Sequence, residues 1–160
     1  MLIMFNKLTL TTFEMSLLKG SEFNIDYTLR FDGGCAPTNP GPCAGAYVII
    51  DNKGRIVAEG GEYIESGTNN YGEYCGLIYG LRKCKELSID NIHIEGDSLL
   101  VISQVTKKWK IRSDSLLPLL SEVEELLKDF SHISIKHIVR GLNSHADGLC
   151  NKILKNRKSV

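Results

Sequence analysis

Polar and apolar side chains alternate along residues 26–32, where Tyr27, Leu29 and Phe31 occupy every second position. A period of two predicts a β-strand that buries one face. A turn-rich stretch is predicted at 33–45, and two more strands are predicted after it, at 46–50 and 55–64. Strands joined by such turns predict an antiparallel meander.

The helical period begins after Thr68, which is predicted to open a helix. One face of that helix carries a stripe predicted to be buried, consisting of Tyr74, Leu77, Ile78, Leu81 and Cys84. Gly76 and Gly80 are four residues apart and lower helix propensity, so we expect the helix to pack closely against the sheet at these positions.

The remaining predicted elements alternate between strands and helices. In chain order they are a strand at 92–96, a helix at 98–105, a longer helix with Leu116, Leu120, Val123, Leu127 and Phe130 on one face, a strand at 133–139 and a helix at 144–154. The predicted order is β-β-β-α-β-α-α-β-α. A single domain is predicted over 25–156. Residues 1–24 are interpreted as a poorly ordered extension or an extra edge strand, with a partner-docking tail as the alternative.

Composition narrows the class of protein. Apolar residues make up 42% and charged residues 24% of the 160 positions, which excludes a wholly disordered or collagen-like chain. Basic and acidic residues both number 19, so any polyanion must be bound by local patches. No run is apolar and long enough to span a membrane. The five cysteines include no CxxC pair, which favours a reduced, cytoplasmic chain with buried thiols rather than a disulfide scaffold.

Four carboxylates fall at the ends of predicted elements, namely Asp32, Glu73, Asp97 and Asp147. Each alone is typical of a helix cap or a solvated charge. Strands of one sheet can bring such positions to one edge, where the mutual repulsion of the acids calls for a cation. Carboxylates without a cysteine or histidine cage favour Mg²⁺ or Mn²⁺ over zinc.

Short motifs surround these acids in a fixed order. They are Phe31-Asp32-Gly33-Gly34, Asn39-Pro40-Gly41-Pro42, Ala44-Gly45, Thr68-Asn69-Asn70, Gly96-Asp97-Ser98, Asn143 and Ala146-Asp147. Together they resemble type 1 ribonuclease H from about residue 27 to residue 154. The resemblance implies an α/β fold whose mixed five-stranded sheet has an antiparallel first half and helices on both faces.

The resemblance also implies a reaction. Members of this family hydrolyse the RNA strand of RNA–DNA hybrids internally and leave 5′-phosphate and 3′-hydroxyl ends, using two metal ions. By this resemblance Asp32 would bridge both ions, Glu73 and Asp97 would hold the ion on the leaving side, and Asp147 the ion on the water side. The expected partner is the hybrid, bound by a monomer and without a membrane.

Substrate contacts are expected from eight residues: Gly33, Gly34, Cys35, Asn39, Thr68, Asn69, Asn70 and Trp109. Asparagines offer donors and acceptors to a 2′-hydroxyl, and glycines let backbone approach a sugar. Thr68 is equally a helix N-cap, and Trp109, set among lysines, is equally a half-buried core residue. Cys35 is interpreted as a packed thiol, with oxidation as the minor alternative, and no disulfide with Cys43 is expected.

Three departures from the family pattern stand out. The chain has no room for a basic handle between residues 105 and 115, which places it in the compact branch. Many members use a loop histidine to assist catalysis, whereas His137 falls within the last predicted strand; His137 and Arg140 are the two candidates for an auxiliary role. Gly148 weakens the helix start beside Asp147. A non-catalytic hybrid-binding module and another nuclease of the same superfold remain the alternatives.

Overall fold

The computed structural model describes the backbone of residues 3–6 and all of residues 26–160. Their strands are β1 (Ile3–Asn6), β2 (Tyr27–Cys35), β3 (Gly41–Asp51), β4 (Ile56–Gly67), β5 (Asn91–Gly96) and β6 (His132–His137). The helices are α1 (Asn69–Glu86), α2 (Leu99–Val105), α3 (Leu117–Leu127) and α4 (Ser144–Asn156), with a 3₁₀ turn at Arg140–Leu142. The predicted order of elements is confirmed, and β1 precedes it.

One mixed sheet runs through the molecule in the order β1-β6-β5-β2-β3-β4. Strands β2, β3 and β4 form the predicted antiparallel meander, while β2, β5 and β6 run parallel. The predicted five strands become six because β1 pairs antiparallel with β6 at the edge. Of the predicted extension 1–24, only this strand lies within the described residues.

The β2–β3 hairpin is longer than predicted. The stretch 33–45 was expected to be a turn, yet pairing continues to Cys35 opposite Cys43, and only residues 36–40 lie outside the two strands. Pro42 has no N–H to donate to the sheet. It is tolerated within β3 because the β3–β4 register shifts between Gly41 and Cys43, where the ladder is irregular and does not require that donor.

The same register corrects the expectation of fully reduced cysteines. Cys35 and Cys43 lie directly opposite, with their Cα atoms 3.9 Å apart, and are joined by a disulfide. The interpretation of Cys35 as a free packed thiol is therefore wrong. Cys75, Cys84 and Cys150 are free and buried, as expected.

Helix α1 begins after Thr68, whose Oγ1 accepts a hydrogen bond from the Tyr71 N–H at 3.2 Å, so the N-cap prediction is confirmed. Its predicted stripe is buried against the sheet. A Cβ added at Gly76 would lie 2.5 Å from the backbone oxygen of Asp32, and one at Gly80 would lie 2.4 Å from Leu29 Cδ1. The glycines therefore allow the close packing that the sequence predicted.

The main core lies between the sheet, α1 and α3. Its largest fully buried members include Tyr74, Phe31, Leu29, Ile49, Leu77, Leu81, Ile92 and Ile94. Helix α4 covers the other face of β2, β3 and β4 through a smaller cluster of Ala44, Ala46, Cys150 and Ile153. Two helices on opposite faces thus meet the sheet near the end of β2.

The last strand is shorter than predicted. Strand β6 ends at His137, and Val139 is 66% exposed outside it. The chain leaves the sheet there to form the 3₁₀ turn that leads into α4. Within the described part of the chain, no helix combines the length and apolar character needed to cross a bilayer.

Candidate active site

Three carboxylates converge where the parallel pairing of strands β2 and β5 ends. Asp32 belongs to β2, and Asp97 directly follows β5, whose Gly96 is in register with Phe31. Glu73 reaches the same point from the second turn of α1. One oxygen from each carboxylate lies within 4.8 Å of the others. The structure therefore brings together three acids separated by up to 65 positions in sequence.

Glycine packing explains how Glu73 comes so close to the sheet. A Cβ added at Gly33 would lie 2.1 Å from the backbone nitrogen of Glu73, a clash that would push α1 away. At Gly34 the nearest atom would be Asn69 Oδ1 at 3.8 Å, so that position stays open. Gly33 thus has a packing role, and Gly34 is the glycine beside which another molecule has room.

The fourth acid stands slightly apart. Asp147 lies in the first turn of α4 and lines the same cavity, of about 480 Å³, as the other three. Its Oδ1 accepts from Arg140 at 2.8 Å and its Oδ2 from Asn151 Nδ2 at 3.0 Å. It therefore has protein partners, and it is not within the 4.8 Å group.

The three converging acids create a strained electrostatic environment. Burial, with the negative charges of Asp97 and Asp147, raises the pKa of Asp32 to about 6. Burial together with the charges of Asp32 and Asp97 raises the pKa of Glu73 to about 10. Glu73 Oε2 is buried and makes no hydrogen bond within the described part of the chain. Such a cluster can hold a metal ion, since a cation would remove both the repulsion and the unsatisfied oxygen.

Hydrogen bonds join several predicted substrate residues into a chain beside the acids. Asn39 Oδ1 accepts from the Asn69 N–H at 3.0 Å, and Asn69 Oδ1 accepts from the Cys35 N–H at 2.8 Å. Asn39, Thr68 and Asn69 are exposed, and Asn70 is half-buried. The structure therefore gathers these residues at the β2–β3 loop and the start of α1.

The comparisons with known proteins agree with this geometry. The family model described as reverse transcriptase-like matches residues 30–153. Ribonuclease HI of Halobacterium salinarum is 40% identical over 124 residues, which cover 78% of this chain and 62% of that protein. The crystal structure of RNase H1 from H. salinarum NRC-1 has a TM-score of 0.78 at 38% identity and covers 81% of this chain and 98% of that one. The chain belongs to the type 1 ribonuclease H family.

A further RNase H1, LC11, was solved in complex with an RNA/DNA hybrid; it has a TM-score of 0.77 at 27% identity, over 82% of this chain and 98% of that one. The predicted ribonuclease H fold is thus confirmed. The chain spans 62% of the length of the H. salinarum relative and 34% of a Mycobacterium tuberculosis relative described as a bifunctional protein.

Trp109 lies away from the acids of this ribonuclease H fold. Its side chain is 50% exposed and does not line the acid cavity. Its backbone N–H donates to the Ser103 carbonyl at 3.0 Å, and the neighbouring Lys107 pairs with Glu124. The indole is therefore available to a ligand, while its contact with a DNA strand stays a prediction.

The two basic residues considered for an auxiliary role, His137 and Arg140, occupy different places. His137 ends β6, as its strand placement predicted, and its Nε2 lies 3.2 Å from the backbone oxygen of Asp97. Arg140 reaches Asp147 from the 3₁₀ turn. Gly148 leaves open space around a hypothetical Cβ, so packing does not require a glycine there.

One residue of the site received no role from the sequence. Asn143 is completely buried, and its Nδ2 donates to Asp97 Oδ1 at 3.3 Å. A polar residue just before a helix usually signals an N-cap, yet this side chain makes no capping hydrogen bond. Its place in the family motifs was the only signal that could have singled it out.

Proposed function

We propose that this protein is a ribonuclease H that hydrolyses the RNA strand of RNA–DNA hybrids internally, leaving 5′-phosphate and 3′-hydroxyl ends. The observation that carries the proposal is the group of three carboxylates, one buried and two partly buried, whose oxygens lie within 4.8 Å of one another, in a chain of the type 1 ribonuclease H family. Such an acid cluster suits metal-assisted attack on a phosphodiester.

The donor set fits a hard divalent cation. Every side chain of the cluster offers carboxylate oxygens, which Mg²⁺ and Mn²⁺ prefer, and Glu73 Oε2 is buried without a partner in the described chain. We propose that Asp32, Glu73 and Asp97 hold one ion and that Asp147 joins Asp32 around a second when substrate binds. The ions would supply charge neutralisation at the attacking and leaving oxygens.

The protein's own groups would prepare this site. Asp32 and Asp97 are fixed by the sheet, and Glu73 is fixed by the close packing of α1 at Gly33. Arg140 is proposed to orient Asp147, since its guanidinium holds Oδ1 of that carboxylate. His137 is proposed to act at most as an auxiliary, through the Asp97 carbonyl that it contacts.

Recognition of the hybrid is proposed to use the chain of hydrogen bonds from Asn39 through Asn69 to Cys35. With Thr68, Asn70 and the open backbone at Gly34, these groups flank the acid cavity on the side where a 2′-hydroxyl can be read across a wide minor groove. Trp109, with the lysines around it, is proposed to contact the DNA strand. LC11, which was solved with a hybrid, supports this substrate.

We further propose that residues 25–156 form the functional domain and that it acts as a monomer in the cytoplasm. All four acids and all proposed substrate contacts lie within that range of a single chain. No second copy is needed to complete the acid cluster.

The test is cleavage of a labelled RNA–DNA hybrid with Mg²⁺, Mn²⁺ or a chelator, beside RNA duplex and DNA duplex of the same sequence. Metal-dependent internal cuts confined to the RNA of the hybrid are expected. Uncut hybrid that the protein still binds would instead identify a non-catalytic hybrid-binding module. Cleavage of the DNA duplex would identify another nuclease of the same superfold.

A further inference from the structure

Asn143 occupies the junction that carries the fourth acid. It lies between the 3₁₀ turn and α4 and is 0% exposed. Its backbone N–H donates to the Arg140 carbonyl at 2.9 Å, and its backbone carbonyl accepts from the Asp147 N–H at 3.1 Å. The backbone of one residue thus connects the two members of the Arg140–Asp147 ion pair.

The side chain of Asn143 turns away from its own helix and towards the sheet. Its Nδ2 donates to the Phe31 carbonyl at 2.8 Å and to Asp97 Oδ1 at 3.3 Å. Phe31 immediately precedes Asp32 in β2. The amide therefore connects the start of α4 to Phe31 in β2 and to Asp97, which directly follows β5.

We infer that Asn143 is the positioning residue that ties the separate fourth acid to the three clustered acids. The inference rests on the proposed function and extends it. The amide donor holds one oxygen of Asp97 and so fixes the orientation of this carboxylate beside Asp32 and Glu73. The backbone carbonyl fixes the first turn of α4, so Asp147 is held at the same edge. Groups that orient metal-binding carboxylates in this way typically contribute 10–100-fold to metal affinity or activity.

The test compares Asn143→Ala and Asn143→Leu with the unaltered protein. Both variants remove the donor; the leucine also keeps the branched shape of the side chain and adds no charge, so it separates loss of the hydrogen bond from the opening of a cavity. We expect the Mg²⁺ dissociation constant from calorimetry without substrate to rise about ten-fold in both variants. We also expect kcat on the hybrid to fall about 10–100-fold while KM changes less than about three-fold.

Ser134→Ala is the matched control. Ser134 is 1% exposed on the same sheet, and its Oγ lies 2.7 Å from His93 Nδ1, so this variant also loses a partly buried hydrogen bond. It should lower Tm while leaving the Mg²⁺ dissociation constant unchanged. A purely structural role for Asn143 predicts the same pattern in its variants, and that result would overturn the inference.

The calorimetric arm separates this inference from the proposed function. If the unaltered protein binds Mg²⁺ but cuts no hybrid, the proposed function fails, and the shift in dissociation constant still decides the role of Asn143. If the hybrid is cut and Asn143→Leu keeps the unaltered kcat and Mg²⁺ dependence, the proposed function stands and the positioning role is refuted.

Discussion

Two groups of charged side chains lie two residues apart along strands β2 and β5, and their carboxylates have pKa values shifted in opposite directions. Arg30 of β2 is in register with Glu95 of β5, and Arg30 Nε donates to Glu95 Oε2 at 2.8 Å. His93 adds a contact of 3.1 Å to the same carboxylate. Two residues further along each strand come Asp32 and Asp97, where Glu73 supplies a third acid instead of a cation.

The pKa shifts separate the two groups. The hydrogen bond from His93, followed by that from Arg30, lowers the pKa of Glu95 to about 2 despite its partial burial. Burial and neighbouring acids raise the pKa values of Asp32 and Glu73. The first group, which we call the inner group, consists of Glu95 with Arg30 and His93. The protein itself neutralises its charge, so this group supports the fold. The second group, which we call the outer group, consists of Asp32, Glu73 and Asp97. Its repulsion opposes folding unless a cation is bound, as expected of a functional site.

The largest effect that this comparison predicts is on cleavage. Asp97→Asn removes a ligand charge from the outer group, so hybrid cleavage should fall by roughly three orders of magnitude or more. Asp32→Asn should do the same. Initial rates on the labelled hybrid, with binding measured separately by gel shift, check this, and hybrid binding should persist.

Glu95→Gln is the internal control for that result, since it removes an acid of the same two strands from the inner group. Its cleavage rate should stay within about three-fold of the unaltered protein, because no ligand charge is lost. Turnover that survives in Asp97→Asn, or that disappears in Glu95→Gln, would show that the roles of the two groups have been confused.

The next effect concerns stability without metal. Asp32 has a raised pKa in the folded state, so folding takes up protons and stability should decrease as pH rises from about 4 to about 6. Glu73→Gln removes a buried acid, and we expect it to stabilise the metal-free protein at pH 7 by about 1–3 kcal/mol. Thermal unfolding in chelator measures this. Mg²⁺ should raise the Tm of the unaltered protein more than that of the variant.

Glu95→Gln should change stability in the opposite direction. Because the folded-state pKa is lowered to about 2, the contribution of Glu95 is present above the unfolded value near 4.5 and is lost as pH falls towards 2. At pH 7 the variant should lose about 1–2 kcal/mol, a value reduced for the partial solvent exposure of this ion pair. Urea unfolding at pH 7 and pH 3 is the check: the gap between the two proteins should narrow at pH 3.

Hydrophobic period predicted most of the scaffold. The stripe on α1 and the close packing of Gly76 and Gly80 followed from spacing alone, since a glycine pair in a helix needs a packing reason. The glycines and prolines of 33–45 predicted a turn, but β2 and β3 remain paired as far as Cys35 and Cys43, so this prediction was wrong for most of the stretch. The register that results also brings Cys35 opposite Cys43, which no counting of cysteines could decide.

The acids could be nominated from sequence, but their partners could not. Asp32 and Glu95 are both acidic residues of strands. Only the fold shows that Arg30 faces Glu95 across two strands and that Glu73 lies beside Asp32. Asn143 was missed for a related reason. Its side chain acts across the sheet, on Phe31 and Asp97, rather than on the helix beside it in sequence.

The smallest predicted effect concerns His137 and tests how far the outer group extends. In β6 the register pairs Ser134 with His93 and Lys136 with Glu95, so His137 alternates to the opposite face, where its Nε2 lies 3.2 Å from the Asp97 carbonyl oxygen. His137→Ala should therefore lower the cleavage rate by about two- to ten-fold, the equivalent of one hydrogen bond of about 1 kcal/mol. Initial rates over a range of pH provide the measurement. A thousand-fold loss would mean that the imidazole reaches the reacting phosphate and belongs with the acids despite its place in the strand.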